Sequence, residues 1–168
     1  MKTDELFGPP IKEILLTVPY DYDPKKGLER PEDRNIGGPT HYYNPHLTDE
    51  NFSKVSHPLV RGKTYRVLFI PINARVTSKE CIHEYYRQKA FFVGAQGLKL
   101  LQETHPDEFP VGKYPVSFDE EENLPIVGGY HRVPIFEFYP NGDWRFDIAC
   151  FELKWSSIHI LIVFCEAE

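Results

Sequence analysis

Residues 133–152 read VPIFEFYPNGDWRFDIACFE, and this stretch decides the fold. Residues 133–139 and 144–152 alternate inward and outward side chains, the period of two that a half-buried strand requires. Between them Pro140-Asn141-Gly142-Asp143 contains an Asn-Gly step, which tolerates positive φ and turns the two runs into an antiparallel hairpin. C-terminal to it, residues 158–164 are almost wholly apolar and predict a central or well-covered strand. N-terminal to it, residues 64–72 (TYRVLFIPI) form a run of β-branched, aromatic and aliphatic side chains, entered through the turn Arg61-Gly62-Lys63. Residues 11–18 (IKEILLTV) predict a strand ended by Pro19, residues 90–93 (AFFV) a buried strand ended by Gly94, and residues 116–118 a brief one.

Two helices interrupt the strands. Thr77, followed three residues later by Glu80, matches a capping box that opens a helix over 78–88, with Ile82, Tyr85 and Tyr86 on one face. Leu98, Leu100 and Leu101 mark a second helix that stops near Thr104, before Pro106. The expectation is one α+β domain over residues 1–168, with about six mostly antiparallel strands and two helices packed on one face. Residues 1–20 supply the N-terminal strand, 21–58 an irregular segment, and 59–168 the α+β core.

The irregular segment is rich in proline: eight of the 15 prolines lie within the first 58 residues. So long a loop is unusual inside a compact domain unless it wraps the surface or carries function. Tyr20, Tyr22, Tyr42, Tyr43 and Phe52 give it apolar anchors, which favours wrapping, and Thr48 is placed to cap one helical turn.

Composition narrows the function classes. The 168 residues are 41% apolar, enough for a core without metal or disulfide staples. Charge is −6, with 7 basic minus 10 acidic residues over 1–60 and 12 minus 15 over 61–168, so neither half offers the basic surface that general nucleic-acid binding needs. No apolar run reaches the roughly 18 residues of a membrane span, and the first residues lack a secretion signal, which points to the cytoplasm. Cys81, Cys150 and Cys165 form no close pair and read as three buried thiols.

Candidate chemistry is sparse. Gly94, Gln96 and Gly97 join a strand to a helix, where exposed backbone amides attract anions, yet neither a P-loop nor a dinucleotide fingerprint is present. Tight turning and close packing explain these glycines equally well. Asp119, Glu120, Glu121 and Glu122 form an acidic run whose oxygens suit a basic partner or a hard cation, or simply a solvated edge; Asp119, directly after Phe118, is also placed to cap a turn. The seven histidines show no metal-ligand spacing, and Cys81 and His83 diverge on their helix, so neither metal nor cofactor is expected. His131, after Gly128-Gly129-Tyr130, is the histidine best placed to meet the acidic run, and His131 with Asp119 or Glu120 is the acid–base pair the sequence offers. Ser117 lacks a nucleophile elbow, and Trp144 and Trp155 read as core.

LFGPPI (6–11), VTSKEC (76–81), VGAQGL (93–98), GKYPVSFDEEE (112–122) and HRVP (131–134) together resemble a family of small uncharacterised bacterial proteins. The resemblance spans most of the chain and implies one bacterial, cytoplasmic domain; it carries no function, catalytic residue or cofactor. The leading expectation is a non-enzymatic interaction protein that meets a basic protein through Asp119, Glu120, Glu121, Glu122, Tyr42, Tyr43 and Tyr130. The alternative is a small hydrolase-like enzyme using His131 with Asp119 or Glu120, with Gly94, Gln96 and Gly97 holding an anionic group.

Overall fold

The computed structural model describes residues 3–29 and 41–168. Eight strands form one mixed sheet: β1 (Lys12–Thr17), β2 (His41–Tyr43), β3 (Thr64–Pro71), β4 (Tyr114–Val116), β5 (Ile126–Val127), β6 (Tyr130–Phe138), β7 (Trp144–Cys150) and β8 (His159–Glu166). Their order is β1-β3-β8-β4-β6-β7-β2, with β5 paired to β6. The helices are α1 (Thr3–Leu6), α2 (Ser78–Arg87) and α3 (Gly94–Thr104).

The hairpin forms as the sequence predicts: β6 and β7 pair antiparallel from Arg132↔Cys150 to Phe138↔Trp144, and Gly142 has a φ of 89° in the turn. Phe136 stacks on Phe146 at 4.1 Å between ring centroids, a cross-strand aromatic pair that fixes the register. The described residues carry two more strands than expected, β2 and β5, and two pairings among them, β4 with β8 and β2 with β7, are parallel. Residues 90–93 make only a single bridge, Phe91 to Phe164, before α3 begins.

The helices lie on opposite faces of the sheet, which corrects the expectation that they share one. Along β8, Ile160, Ile162 and Phe164 join Val67, Phe69, Leu98 and Leu101 in one cluster, so α3 covers that face. Leu161, Val163 and Cys165 join Leu68, Ile70, Cys81 and Tyr85 in the other, under α2. A strand with no polar face needs cover on both sides, and the two helices divide that work.

The proline-rich segment wraps the α3 face where it is described. Leu28, Tyr43, Leu47 and Phe52 are all buried in that cluster, whereas Tyr20 stands in solvent. Thr48 takes its expected capping role, accepting the Asn51 amide on its side chain and the Phe52 amide on its carbonyl. Residues 30–40 of the segment lie outside the described residues. Among the described residues no helix is long and apolar enough to cross a membrane.

Candidate functional site

The acidic run leaves β4 and bends through a single 3-10 turn over Glu121–Asn123. Phe118 and Asp119 anchor it on one side and Leu124 on the other, all three buried, so the intervening glutamates stay at the surface. Asp119 therefore separates from its neighbours. Its carboxylate accepts the Ser56 amide at 3.1 Å, the Ser56 hydroxyl, and the Glu120 amide at 2.7 Å. Asn123 donates to Ser56 Oγ at 2.7 Å and closes the arrangement. Burial pushes the Asp119 carboxyl above the usual carboxylate value, and the hydrogen bonds from Ser56 and Glu120 offset part of that. Asp119 is thus a buried latch joining residues 56 and 119, and the surface acids are Glu120, Glu121 and Glu122.

Tyr86 is the aromatic residue that stands beside these acids. The spacing puts it on one face with Ile82 and Tyr85, yet α2 buries Ser78, Cys81, Glu84 and Tyr85 and leaves Tyr86 57% exposed. Its hydroxyl donates to Glu120 Oε1 at 3.2 Å, and its ring packs edge-on to Phe92 at 5.2 Å. Partial burial, the Glu120 hydrogen bond and the charges of Glu120, Glu122 and Asp119 raise the phenol above its ordinary value, so it stays a neutral donor.

The tyrosines singled out in the sequence are placed differently. Tyr43 is buried and donates to the Leu28 carbonyl at 2.7 Å, which makes it part of the core rather than of a binding surface. Tyr42 is exposed but lies under the Arg145 guanidinium at 4.8 Å, and exposed Tyr130 lies near Arg132 at 5.7 Å. Both already have cationic partners from this chain.

His131 meets a different acid from the two expected. Its Nδ1 lies 3.0 Å from Glu152 Oε1, and its backbone amide donates to the same oxygen at 3.2 Å. Burial acts to raise the Glu152 carboxyl, but the hydrogen bonds from His131 and the backbone together outweigh it and hold the group below the usual carboxylate range. The carboxylates of Asp119 and Glu120 instead bond to Ser56 and Tyr86, and neither makes a hydrogen bond or ion pair with His131.

Ser56 and His57 sit side by side, yet they do not form a nucleophile and its base. The Ser56 hydroxyl is engaged by Asp119 and Asn123. His57 Nδ1 accepts the Phe92 amide at 2.8 Å, while its own amide donates to the Phe92 carbonyl at 2.9 Å. The imidazole thus acts as a backbone clamp. The latch has no local signature in the sequence, because Ser56 in the irregular segment and Asp119 beyond β4 are 63 positions apart.

At the start of α3, Gly94 has a φ of 68°, and a side chain there would meet Gln96, Asp119 and Val55. Gly97 has no room for a Cβ against Val93 and faces Phe164. Both positions need glycine for backbone shape and close approach. Gln96 is buried, its Nε2 donating to the Phe52 carbonyl at 2.9 Å. Cys81 is buried, and burial raises its thiol far above the ordinary value, so no thiolate forms there near neutral pH. Among the described residues no three His, Cys, Asp or Glu side chains gather as a metal ligand set.

Comparison with known proteins gives no match: no family model, no curated protein and no solved structure is significantly similar to this chain.

Proposed function

We propose that the protein is a non-enzymatic binding protein that recognises a basic protein segment at the surface formed by Tyr86, Glu120, Glu121 and Glu122. What carries this reading is the Tyr86–Glu120 hydrogen bond, which holds an exposed aromatic ring beside three surface carboxylates. A Lys or Arg side chain gains from both components: the carboxylates supply charge and the ring supplies a cation–π face. The chain's charge of −6 adds long-range attraction for a basic partner. The hydrolase reading has less support, because His131, Ser56 and His57 are each committed to structural partners.

An Arg/Lys-rich peptide titrated against the protein by fluorescence anisotropy tests the proposal. Binding is expected to weaken steeply between low and moderate salt and to be lost when Glu120, Glu121 and Glu122 become Gln and Tyr86 becomes Ala. Asp119 is left intact, since its replacement would disturb the latch. Equal affinity for the wild type and the fourfold variant would remove the proposal.

A further inference from the structure

Strand β1 ends the sheet: β3 pairs with one of its sides, and no strand among the described residues pairs with the other. The Val18 amide donates to the Lys63 carbonyl at 2.9 Å, so by the alternation of an antiparallel ladder Lys12, Ile14 and Leu16 also turn their backbone groups towards β3. Glu13, Leu15 and Thr17 therefore turn theirs outward, where no described residue bonds to them. Their side chains share the face of Leu68, the one under α2, and Leu15 is 62% exposed there. An uncovered edge with an exposed leucine at its middle is a template for another strand.

Charge and register name a second copy of this chain as that strand. The charges beside the edge are already paired within the chain: Lys12 with Glu108 at 2.8 Å, Glu13 with Arg66 at 3.5 Å, and Lys63 with Glu166 at 2.8 Å. The edge is thus close to neutral, so it selects neither an acidic nor a basic strand and does not repel its own copy. With a two-fold axis at Leu15, Glu13 meets Thr17 of the second copy and Ile14 meets its Leu16, carboxylate facing hydroxyl and apolar facing apolar. An axis at Glu13 would oppose two carboxylates. An axis at Ile14 would set Thr17 against Ile11, whose amide is already given to Phe69, and one at Leu16 would set Glu13 against Pro19, which has no amide hydrogen. The Leu15 register is the one that uses all three outward residues of both copies.

We propose that the protein self-associates by antiparallel addition of β1 to β1, centred on Leu15, into a two-fold dimer whose sheet runs on through both copies. Pro10 and Pro19 bracket the strand and limit the added ladder to its six residues. So short a pairing buries less than the roughly 800 Å² per partner of a standard interface, which makes the dimer a weak and reversible one. This edge shares no residue with the surface that meets a basic segment.

Sedimentation velocity from about 10 μM to about 1 mM should show a monomer–dimer equilibrium with a dissociation constant of the order of 100 μM. Hydrogen exchange should slow at the amides of Glu13, Leu15 and Thr17 as the concentration rises. Leu15→Lys, which sets two ammonium groups against each other on the axis, should weaken association about tenfold or more, with thermal unfolding confirming that the variant folds. Thr17→Glu should weaken it about tenfold by opposing Glu13 of the second copy twice over, and Glu13→Lys added to it should restore it. Within one extended strand residues 13 and 17 stand ~13 Å apart, so this rescue reads a contact between copies. The variant lacking Tyr86 and the three surface glutamates should associate as the wild type does. A monomer at the highest concentration, exchange protection confined to other residues, unchanged association in folded Leu15→Lys, or no rescue by Glu13→Lys would each overturn the assignment. So would protection of the three amides that appears only when an Arg/Lys-rich peptide is added, which would give the edge to a foreign strand.

Discussion

The Tyr85 hydroxyl donates to the Ile162 carbonyl at 2.6 Å, and its oxygen accepts the Phe118 amide at 3.1 Å. Ile162 lies one residue beyond Leu161, the last partner of β4 in the parallel pairing. A side chain from α2 thus takes over where the shortest interior strand stops, satisfying a donor and an acceptor that are both buried. Burial keeps the phenol protonated throughout the working pH range.

Tyr85→Phe keeps the ring and its stacking on Phe92 but strands both backbone groups. The expected loss is about 2–4 kcal/mol of unfolding free energy, read as a lower urea midpoint at unchanged slope. A loss below about 0.5 kcal/mol would show that water replaces the hydroxyl.

Gly97→Ala sets two effects against each other. Alanine gains about 1 kcal/mol of helix propensity, but its methyl collides with Val93 at the start of α3 and crowds Phe164 beneath it. The collision should prevail, giving a net destabilisation of about 1–2 kcal/mol in chemical denaturation. A stabilised variant would mean that α3 can slide away from the sheet.

Glu84 is fully buried on α2, and its carboxylate receives Arg87 at 2.7 Å through two guanidinium nitrogens and Gln88 at 2.8 Å. Arg87→Met leaves that carboxylate buried with only one of these partners. The expected cost is about 2–3 kcal/mol, and Glu84→Gln in the same chain should recover part of it, a coupling that a double-mutant cycle measures.

Asp119 predicts a pH dependence. Its folded-state pKa is raised, so the native state holds the proton more tightly than the unfolded chain, and stability contributed by the protonated latch is lost as pH rises from the unfolded value through the folded one. Unfolding free energies measured from pH 3 to 7 should therefore fall relative to those of Asp119→Asn, which does not titrate. Wild-type values that stay level with those of Asp119→Asn, or rise relative to them, would falsify the raised value.

The hairpin, β3, β8 and the capped helix α2 were legible because each carries its own signal within about ten residues. Thr77 accepts the Glu80 amide at 3.2 Å and gives its own amide to the Glu80 side chain at 3.0 Å, as the four-residue spacing requires. β2 was not legible: His41–Tyr43 becomes a strand only by pairing with Trp144–Phe146, about 100 positions away. The division of the helices between two faces has a signal in β8, whose buried apolar run leaves no side for solvent. At the acidic surface the run itself was visible, but the burial of Asp119 and the exposure of Tyr86 depend on Ser56 and Phe92, which local periodicity does not connect to either.

Strands β1 and β2 follow one another in sequence yet occupy opposite edges of the sheet. During synthesis β1 cannot pair until β3 has been made, and β2 has no neighbour until β7 is made about 100 residues later. β2 therefore waits longest for its partner. In the nascent chain residues 41–43 should stay sensitive to proteases until β7 has been made, and folding should be slow for the domain's size because so many of its pairings are distant.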